Sequence, residues 1–341
     1  MLEAIRLAAG EHPHPNPRVG AVVLDPTGGV VGRGAHAGPG RPHAEAIALA
    51  EAGERAHGGT LVVTLEPCAH TGRTGACTEV VITSGIARVV AGVGDPDHRV
   101  AGRGFQRLRN QGLEVVTGVA AEEVYSLDPG YFHHRRTGRP RVTVKMAATL
   151  DGQSAAADGT SKWITGTAAR EDAHRLRAAS DAVIVGSGTV MADDPRLTVR
   201  LAGYEGRQPR PVVVIGRSPV SPEAAVFGRD PIVYSAVPVD LPAEVVVMPG
   251  TDGVDLDSVI ADLGKREIVD LLCEGGATLA GALLRAGLAN RIVFYLAGSL
   301  ALGVGHPVVA GIFRSVDGLR PVEITRIDRL GPDLRVEAEV A

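Results

Sequence analysis

Short apolar runs alternate with amphipathic, alanine-rich stretches along the first 93 residues of the chain. Apolar residues at helical spacing predict a helix, whereas a short β-branched run predicts a strand. The predicted helices span residues 2–9, 44–52 and 78–84, and the predicted strands span residues 19–24, 61–65 and 87–93. This alternation is typical of an α/β domain, in which helices cover a central sheet.

The same alternation begins again after residue 140. Before it, a helical stretch ends in a polar, basic segment, residues 133–140, which is closed by proline and predicts a junction. A new strand is predicted directly afterwards, over residues 141–146. Helices are then predicted over residues 167–179 and 277–287, and strands over residues 182–185, 211–215, 231–234, 244–248, 267–272 and 291–296. We therefore predict two α/β domains, residues 1–140 and residues 141–341.

The composition is that of a soluble globular protein, with 45% hydrophobic residues, 22% charged residues and a net charge of −4. Residues 1–140 carry 14 Arg and no Lys against 14 Asp and Glu, so no basic surplus attracts nucleic acid. No apolar run reaches the roughly 18–20 residues that cross a bilayer, and residues 1–10 do not resemble a signal peptide. Three cysteines exclude a disulfide framework. We expect a cytoplasmic protein with a small-molecule substrate, no nucleic-acid partner and no membrane partner.

Four residues in the first half have the chemistry of a catalytic zinc site. They are His43, Glu45, Cys68 and Cys77. Catalytic zinc usually has three protein ligands and a bound water whose pKa falls to about 7. Zinc deaminases carry a His-x-Glu motif followed by Pro-Cys-x-x-Cys, and their Glu moves protons without binding the metal. In this chain the second Cys lies nine positions after the first, not three.

We predict that the His and the two Cys residues bind zinc and that Glu45 is the proton shuttle. A zinc-bound hydroxide would attack an amidine-like ring carbon. Glu45 would take the proton of the water and return protons to the ring nitrogen and to the departing ammonia. One alternative is a structural zinc site, for which His70 is a possible fourth ligand. Another is a pair of buried cysteines with a solvent-facing Glu45.

The second half carries weaker local signals for a nucleotide site. Residues 186–189 follow a strand but lack the third glycine of a dinucleotide motif. Residues 273–281 run from a strand through paired glycines into a helix, which points N–H groups at a phosphate; a tight packing turn is the alternative. Lys145, predicted at a strand end, binds phosphate, polarises a ribose or is a surface charge. Trp163 is the single tryptophan. It either forms a flat wall against a nicotinamide or pyrimidine ring or belongs to the hydrophobic core.

Seven motifs follow one another along the chain, at residues 14–20, 43–45, 64–74, 145–152, 163–165, 192–198 and 274–276. In this order they resemble the motifs of the bifunctional deaminase–reductases of riboflavin biosynthesis, the RibD/RibG family. The resemblance covers nearly the whole chain, and the long spacer before Cys77 looks like that family's variant of the deaminase motif.

The resemblance implies an N-terminal cytidine-deaminase-like domain with three α/β/α layers and a C-terminal α/β domain similar to dihydrofolate reductase. It also implies two consecutive reactions. The first is zinc-dependent deamination of 2,5-diamino-6-(5-phosphoribosylamino)pyrimidin-4(3H)-one. The second is reduction by NADPH of the ribosyl group of 5-amino-6-(5-phosphoribosylamino)uracil to ribityl. The implied cofactors are Zn²⁺ and NADPH, and the implied assembly is a homo-oligomer, a dimer or a tetramer.

The resemblance further implies roles for individual residues. In the first domain the substrate residues are Asn16, His36, His70 and Asp95. In the second domain the substrate residues are Ser161, Arg177, Leu197, Arg200 and Glu274, and the catalytic residues are Lys145 and Asp193. The cofactor residues are Ala147, Trp163, Thr189, Asp193 and a turn made of Gly276, Ala277, Thr278, Leu279, Ala280, Gly281 and Ala282.

Local chemistry supports some of these roles. Asn16 stands between two prolines, which favour an extended loop that holds its amide; a simple turn is the alternative. Asp95 follows a strand, at the edge where α/β proteins bind ligands, and a turn or helix cap is the alternative. Arg177 and Arg200 carry guanidinium groups that bind phosphate bidentately. Asp193 is expected to assist proton transfer during the reduction.

Residues 216–218 and 296–311 depart from the family's usual pattern near the expected cofactor loops, so the preference for NADPH over NADH is open. Two other functions are open as well. One is a zinc nucleoside or RNA deaminase fused to an unrelated nucleotide-binding domain, although the neutral first half argues against RNA. The other is a zinc-stabilised nucleotide-sensing module, whose function a Glu45→Gln substitution would leave intact.

Overall fold

The computed structural model describes residues 1–70 and 75–340. The chain folds into two compact units, Met1–Gly138 and Arg139–Ala341. In the described ranges, no helix is long and apolar enough to cross a membrane.

The first unit is built on a five-stranded sheet. Its strands are β1 (Gly20–Leu24), β2 (Val30–Ala35), β3 (Thr60–Leu65), β4 (Arg88–Val93) and β5 (Glu114–Val116). Their order is β2-β1-β3-β4-β5, with β1 antiparallel to both neighbours and with β3, β4 and β5 parallel. The helices of this unit are α1 (Leu2–Ala9), α2 (Ala44–Ala52), α3 (Cys77–Thr83), α4 (Arg103–Asn110), α5 (Ala121–Leu127) and α6 (Pro129–Thr137).

Helices pack closely on both faces of this sheet. A Cβ atom on Gly20 of β1 would lie 1.9 Å from the carbonyl oxygen of Ala4 in α1, and one on Gly34 of β2 would lie 2.1 Å from that of Ala44 in α2. Gly34 pairs with Ala21, the neighbour of Gly20, so the two glycines face opposite sides of the sheet. The helices α1 and α2 therefore form separate layers, and the start of α2 lies against the sheet.

The second unit contains a nine-stranded sheet and two short ribbons. Its strands are β6 (Arg141–Thr149), β7 (Gln153–Ala155), β8 (Ala182–Gly186), β9 (Arg210–Val214), β10 (Ile232–Ser235), β11 (Glu244–Val247), β12 (Pro249–Gly250), β13 (Gly253–Val254), β14 (Asp270–Cys273), β15 (Arg291–Ala297), β16 (His306–Pro307), β17 (Val322–Leu330) and β18 (Asp333–Val340). The sheet order is β11-β10-β9-β8-β14-β6-β15-β18-β17, and β18 is antiparallel to both of its neighbours. The ribbons pair β12 with β13 and β7 with β16. The helices are α7 (Thr167–Ala178), α8 (Ser187–Asp193), α9 (Leu256–Lys265) and α10 (Ala277–Arg285).

The central parallel strands of this sheet are buried on both faces. In β8, Ala182 and Ile184 belong to one apolar cluster, whereas Val183 and Val185 belong to another on the opposite face. Strands of this kind are apolar at consecutive positions, which is why the hydrophobic pattern predicted them.

The pattern predicts that a helical stretch ends within residues 133–140, and α6 does end there, at Thr137, with Gly138 in the left-handed conformation (φ 71°). One expectation about the elements is wrong. Lys145, predicted at the end of a strand, lies inside β6, because this strand continues to Thr149 by pairing with β15.

The hydrophobic pattern also missed several elements. Strand β2 carries two glycines, which strands usually disfavour, and β17 is exposed and rich in charged residues. Neither has the apolar alternation of a half-buried strand. The elements that the pattern did not predict are β2, β5, β7, β12, β13, β16, β17, β18, α4, α8 and α9.

Candidate active sites

The three residues predicted to bind zinc lie together in the first unit. His43 is the N-cap of α2, Cys77 is the first residue of α3, and Cys68 follows the end of β3. The His43 Nδ1 atom lies 3.1 Å from Cys77 Sγ and 3.7 Å from Cys68 Sγ, and all three ligand atoms lie within 4.8 Å of one another. One imidazole and two sulfur atoms at this spacing suit a zinc ion with a fourth position left for water.

The three side chains of this cluster change one another's pKa values. Hydrogen bonds from the Cys77 thiol and from His43 lower the pKa of Cys68 to about 4 and so favour its thiolate. The contact with Cys68 raises the pKa of His43. Loss of a second proton beside the Cys68 thiolate is unfavourable, so the pKa of Cys77 is raised. A divalent cation would replace these shared protons, because thiolates are the metal-binding form of cysteine.

Glu45 lies in the first turn of α2 and is 3% exposed. Burial raises the pKa of its carboxyl group, which also contacts the side chain of Cys77. The reading of Glu45 as a solvent-facing residue is therefore wrong. A carboxyl group buried beside a cluster of metal-binding side chains has the environment of a general acid–base.

His36 and Asn16 form a second layer beside His43. The His36 ring packs edge-on against His43, with 5.0 Å between ring centroids. His36 Nδ1 donates to the carbonyl oxygen of Pro42 over 3.1 Å, and Asn16 Nδ2 donates to His36 Nε2 over 2.9 Å. Burial lowers the pKa of His36, in agreement with this neutral form. The expected extended loop at Asn16 is wrong, because its N–H closes a turn onto the carbonyl of Pro13 over 3.1 Å.

His70 is exposed and does not belong to the ligand cluster found among the described residues. The alternative of a structural zinc site with His70 as a fourth ligand therefore lacks support. Residues 71–74, the end of the motif over residues 64–74, lie outside the described residues.

Asp95 lies just beyond β4 and is 9% exposed. Its Oδ1 atom accepts hydrogen bonds from Asp97 N over 2.9 Å and from Tyr131 Oη over 3.0 Å. Burial raises the pKa of Asp95 to about 6. Asp95 is thus a buried acid at the carboxyl edge of the parallel strands, where α/β proteins bind ligands.

Glu66 is a buried residue that the sequence reasoning missed. Its Oε2 atom accepts from Asp95 N over 3.2 Å and from Gly102 N over 2.9 Å. Its Oε1 atom accepts from Gly104 N over 2.9 Å and from Phe105 N over 3.3 Å. Glu66 therefore caps the start of α4 and joins the Cys68 loop to the Asp95 loop. The only signal in the sequence was a charged residue directly after an apolar strand.

The second unit has a cavity of about 590 Å³ at the carboxyl ends of β8 and β14 and beside β6. Twelve of the residues expected at the reductase site line it. They are Lys145, Ala147, Ser161, Trp163, Arg177, Thr189, Asp193, Leu197, Arg200, Glu274, Gly276 and Ala277. The later residues of the expected turn are not among the lining residues, because they continue α10 and partly enter the core. These are Thr278, Leu279, Ala280, Gly281 and Ala282.

Lys145, Arg177 and Glu274 form a charged group in this cavity. Arg177 Nη2 donates to Glu274 Oε2 over 2.8 Å, its Nε donates to Oε1, and its Nη1 donates to the Thr198 carbonyl over 2.9 Å. The Arg177 guanidinium thus binds the Glu274 carboxylate through two of its nitrogen atoms, and the phosphate contact expected at Arg177 stays a prediction. Burial lowers the pKa of Lys145 against the opposing charge of Glu274, so Lys145 is not a surface charge. Arg200 is exposed beside this group.

Trp163 lines the cavity, and 68% of its surface is exposed. The alternative that Trp163 is a core residue is therefore wrong. The Arg170 guanidinium lies 4.6 Å from the centre of its ring. Nearby, Asp193 Oδ1 lies 3.4 Å from Lys162 Nζ. Gly276 N, at the start of α10, donates to Thr189 Oγ1 over 3.0 Å.

The two divergent segments lie next to this region. Gly216 N donates to Ser187 Oγ at the start of α8 over 2.9 Å. Asp151 accepts from the N–H groups of Ala301 and Leu302, and these bonds lower its pKa to about 2. Residues 301 and 303–305 line a second cavity of about 400 Å³, which shares residues 161–164 with the first.

Comparisons with known proteins agree with these two sites. Residues 1–93 match the family model of the cytidine and deoxycytidylate deaminase zinc-binding region, and residues 140–335 match that of the RibD C-terminal domain. The chain is 42% identical over 328 residues to riboflavin biosynthesis protein RibD of Mycobacterium tuberculosis, covering 94% of this chain and 90% of that protein. It is 39% identical over 342 residues to RibD of Escherichia coli K12, covering 94% and 92%.

Solved structures give the same result. Acinetobacter baumannii RibD superposes with a TM-score of 0.92 at 34% identity, covering 100% of this chain and 97% of that one. A Thermotoga maritima diaminohydroxyphosphoribosylaminopyrimidine deaminase/5-amino-6-(5-phosphoribosylamino)uracil reductase superposes with a TM-score of 0.91 at 34% identity, with the same coverage. These likenesses confirm the predicted fold of a cytidine-deaminase-like domain followed by a reductase domain. They exclude an unrelated second domain, and the chain belongs to the RibD family of bifunctional deaminase–reductases of riboflavin biosynthesis.

Proposed function

We propose that the first domain deaminates 2,5-diamino-6-(5-phosphoribosylamino)pyrimidin-4(3H)-one and that the second reduces 5-amino-6-(5-phosphoribosylamino)uracil with NADPH. The observation that carries the proposal is the meeting of His43, Cys68 and Cys77 beside the buried carboxyl group of Glu45. The name of the Thermotoga maritima relative supports the choice of both substrates.

In the deaminase, His43, Cys68 and Cys77 would hold a zinc ion. The metal would supply a bound water of lowered pKa. Water adds to the ring carbon that bears the amine, and the bond to the amine then breaks. Glu45 takes one proton of the water and passes it to the ring nitrogen; it then takes the remaining hydroxyl proton and passes it to the amine, which leaves as ammonia. Its burial supports this role, because a raised pKa brings a carboxyl group closer to neutral pH.

The pyrimidine and its phosphoribosyl group are bound by Asn16, His36, His70 and Asp95. The Asn16 amide nitrogen is held by His36, which leaves its Oδ1 atom for a donor on the edge of the ring. Asp95 is proposed to accept from the substrate's polar groups. This assignment is supported by its place at the carboxyl edge of the sheet.

In the reductase, the cavity of about 590 Å³ would hold NADPH, which would supply the hydride. Gly276 and Ala277 begin α10, and the free N–H groups of a helix start favour a cofactor phosphate. Trp163 would offer its ring to the cofactor, and Ala147, Thr189 and Asp193 would complete the site. Thr278, Leu279, Ala280, Gly281 and Ala282 support the phosphate turn through the helix that they form.

The ribosyl group lies near Lys145 and Glu274, which face the same cavity. Lys145 polarises the ribose and Asp193 assists proton transfer, so that one hydride and one proton reach the sugar. Arg200 binds the phosphate, because its guanidinium is exposed at the cavity, whereas that of Arg177 is bonded to Glu274. Arg177 acts by holding Glu274, and Ser161 and Leu197 complete the pocket.

We further propose that the protein is a homo-oligomer that associates through β17. This strand is the last in its sheet, and Val322, Ile324 and Ile327 are 43%, 58% and 60% exposed. Apolar side chains on an exposed sheet edge favour pairing with another chain.

The test of the two reactions uses a Glu45→Gln variant of the full chain. Wild type is expected to contain zinc, to release ammonia from the diaminopyrimidine substrate and then to consume NADPH. The variant should keep its zinc and lose ammonia release, because an amide cannot shuttle the proton. It should still consume NADPH when the deaminated product is supplied. If neither activity changes, or if both vanish in a folded protein, the two-site proposal is wrong.

A further inference from the structure

Helix α6 carries three polar residues that contact the loops of the deaminase site. They are Asp128, which is the N-cap, and Tyr131 and Arg135, which lie four positions apart in the helix and so project from one side of it. The helix lies between the regions matched by the two family models, residues 1–93 and 140–335. Neither the zinc-binding region nor the reductase domain accounts for it.

The first contact is with Asp95. Tyr131 is 2% exposed, and its hydroxyl lies 3.0 Å from Asp95 Oδ1 and 3.2 Å from Oδ2. A buried hydroxyl placed against both oxygen atoms fixes the rotation of the carboxylate. The Arg135 guanidinium lies 5.2 Å from the centre of the Tyr131 ring, a cation–π contact that helps to hold the tyrosine in place.

The second contact is with the turn that carries Asn16. Arg135 Nη2 donates to the carbonyl oxygen of Pro15 over 2.8 Å. Asp128 Oδ2 accepts from Arg18 N over 2.9 Å, and Asp128 Oδ1 accepts from His14 Nε2 over 2.9 Å. The helix and its N-cap therefore bind the chain before Asn16, at Pro15, and after it, at Arg18. The amide of Asn16 in turn holds His36 beside His43.

We infer that α6 is a clamp for the substrate loops of the deaminase, in which Asp128, Tyr131 and Arg135 are positioning residues. Through Tyr131 the clamp orients the Asp95 carboxylate, and through Asp128 and Arg135 it holds the Asn16 turn. The inference rests on the proposed deaminase function and assigns to α6 a role in substrate binding rather than in zinc binding.

The experiment compares Arg135→Ala with Arg136→Ala in the full-length zinc enzyme. Arg136 is a matched control, because it is the next residue of α6 but is exposed and packs on Tyr125 and Phe132. For Arg135→Ala we expect the KM of the diaminopyrimidine substrate to rise about 10- to 100-fold, the equivalent of one lost hydrogen bond from a charged group. The zinc content and the reductase activity should match wild type. Arg136→Ala should leave this KM unchanged.

A double-mutant cycle separates positioning from a general structural role. If Arg135 acts through the Asn16 turn, Arg135→Ala and Asn16→Ala together should raise KM less than the product of their separate effects. Arg136→Ala and Asn16→Ala should combine independently. A wild-type KM in Arg135→Ala, or a loss of zinc equal to the loss of activity, would overturn the clamp.

A second variant decides the matter if Arg135→Ala does not fold. Tyr131→Phe removes one hydroxyl group and keeps the ring, so we expect folded protein with a raised deaminase KM and an unchanged reductase. An unchanged KM in Tyr131→Phe would then overturn the clamp. Absence of ammonia release by wild type would instead refute the proposed function itself.

Discussion

Three buried carboxyl groups of the first unit differ in role because they differ in their neighbours. Glu66 is surrounded by backbone N–H groups and organises loops. Asp95 has one backbone donor and the Tyr131 hydroxyl, and Glu45 lies beside the sulfur of Cys77. Their residue type was visible in the sequence. Most of their partners were not, because Glu66 meets Asp95 N 29 positions away and Asp95 meets the Tyr131 hydroxyl 36 positions away.

At this residue scale we predict a pH effect of Asp95 on stability. Burial raises the pKa of Asp95 to about 6 in the folded protein, from an ordinary value of 3.8. Between about pH 4 and 6 the unfolded chain releases this proton and the folded chain keeps it, so the contribution of Asp95 to stability falls as pH rises. The fall is about 3 kcal/mol at most and ends above pH 6.

Urea unfolding of wild type and Asp95→Asn between pH 4 and 7.5 measures this effect. As pH rises from about 4 to 6, the free energy of unfolding of wild type should fall relative to that of Asp95→Asn. Above pH 6 the difference between the two proteins should stay constant. A difference that does not change with pH would show that burial does not raise this pKa.

At the scale of elements, the position of α2 decides the deaminase site. This helix was predicted with its observed ends, and it carries Glu45 in its first turn. Its distance from the sheet depends on glycines in β2, a strand that the pattern missed because glycine adds no apolar side chain. Gly34 has φ outside the left-handed region, so close packing, not backbone conformation, explains it.

We predict that Gly34→Ala destabilises the first unit by about 1–3 kcal/mol, the usual cost of overpacking. The added Cβ would lie 2.1 Å from the Ala44 carbonyl oxygen and would push the start of α2 away from the sheet. Zinc content and ammonia release should fall, while NADPH consumption should persist. Gly10→Ala is the control, because its Cβ would meet nothing closer than 3.7 Å. Equal behaviour of the two variants would refute the packing argument.

At the scale of the whole molecule, the chain has two units with separate sheets and separate candidate sites. The sheet of the second unit ends at β17. The apolar residues of this strand are exposed and mixed with charged residues, so the sequence gave no strand signal there. An edge strand of this length with exposed isoleucines is the basis for the proposed homo-oligomer.

For this assembly we predict that Ile324→Asp lowers the oligomeric state in sedimentation velocity, because a buried carboxylate is unfavourable at an apolar interface. Leu2→Asp is the control, since Leu2 is 64% exposed on the other unit. An unchanged sedimentation coefficient for Ile324→Asp would place the interface elsewhere or show that the chain is a monomer.

The sequence by itself determined the α/β class, the order of two domains and the family, because these depend on local periodicity and on motif spacing. It also named His43, Glu45, Cys68 and Cys77, whose chemistry is recognisable before they meet. Tertiary structure decided what surrounds them. The pairing of Arg177 with Glu274 depends on contacts between distant segments. So does the finding that only Gly276 and Ala277 of the expected cofactor turn line the cavity. The same is true of the grip of α6 on Asp95 and on the Asn16 turn. Such contacts leave no periodic pattern in the chain.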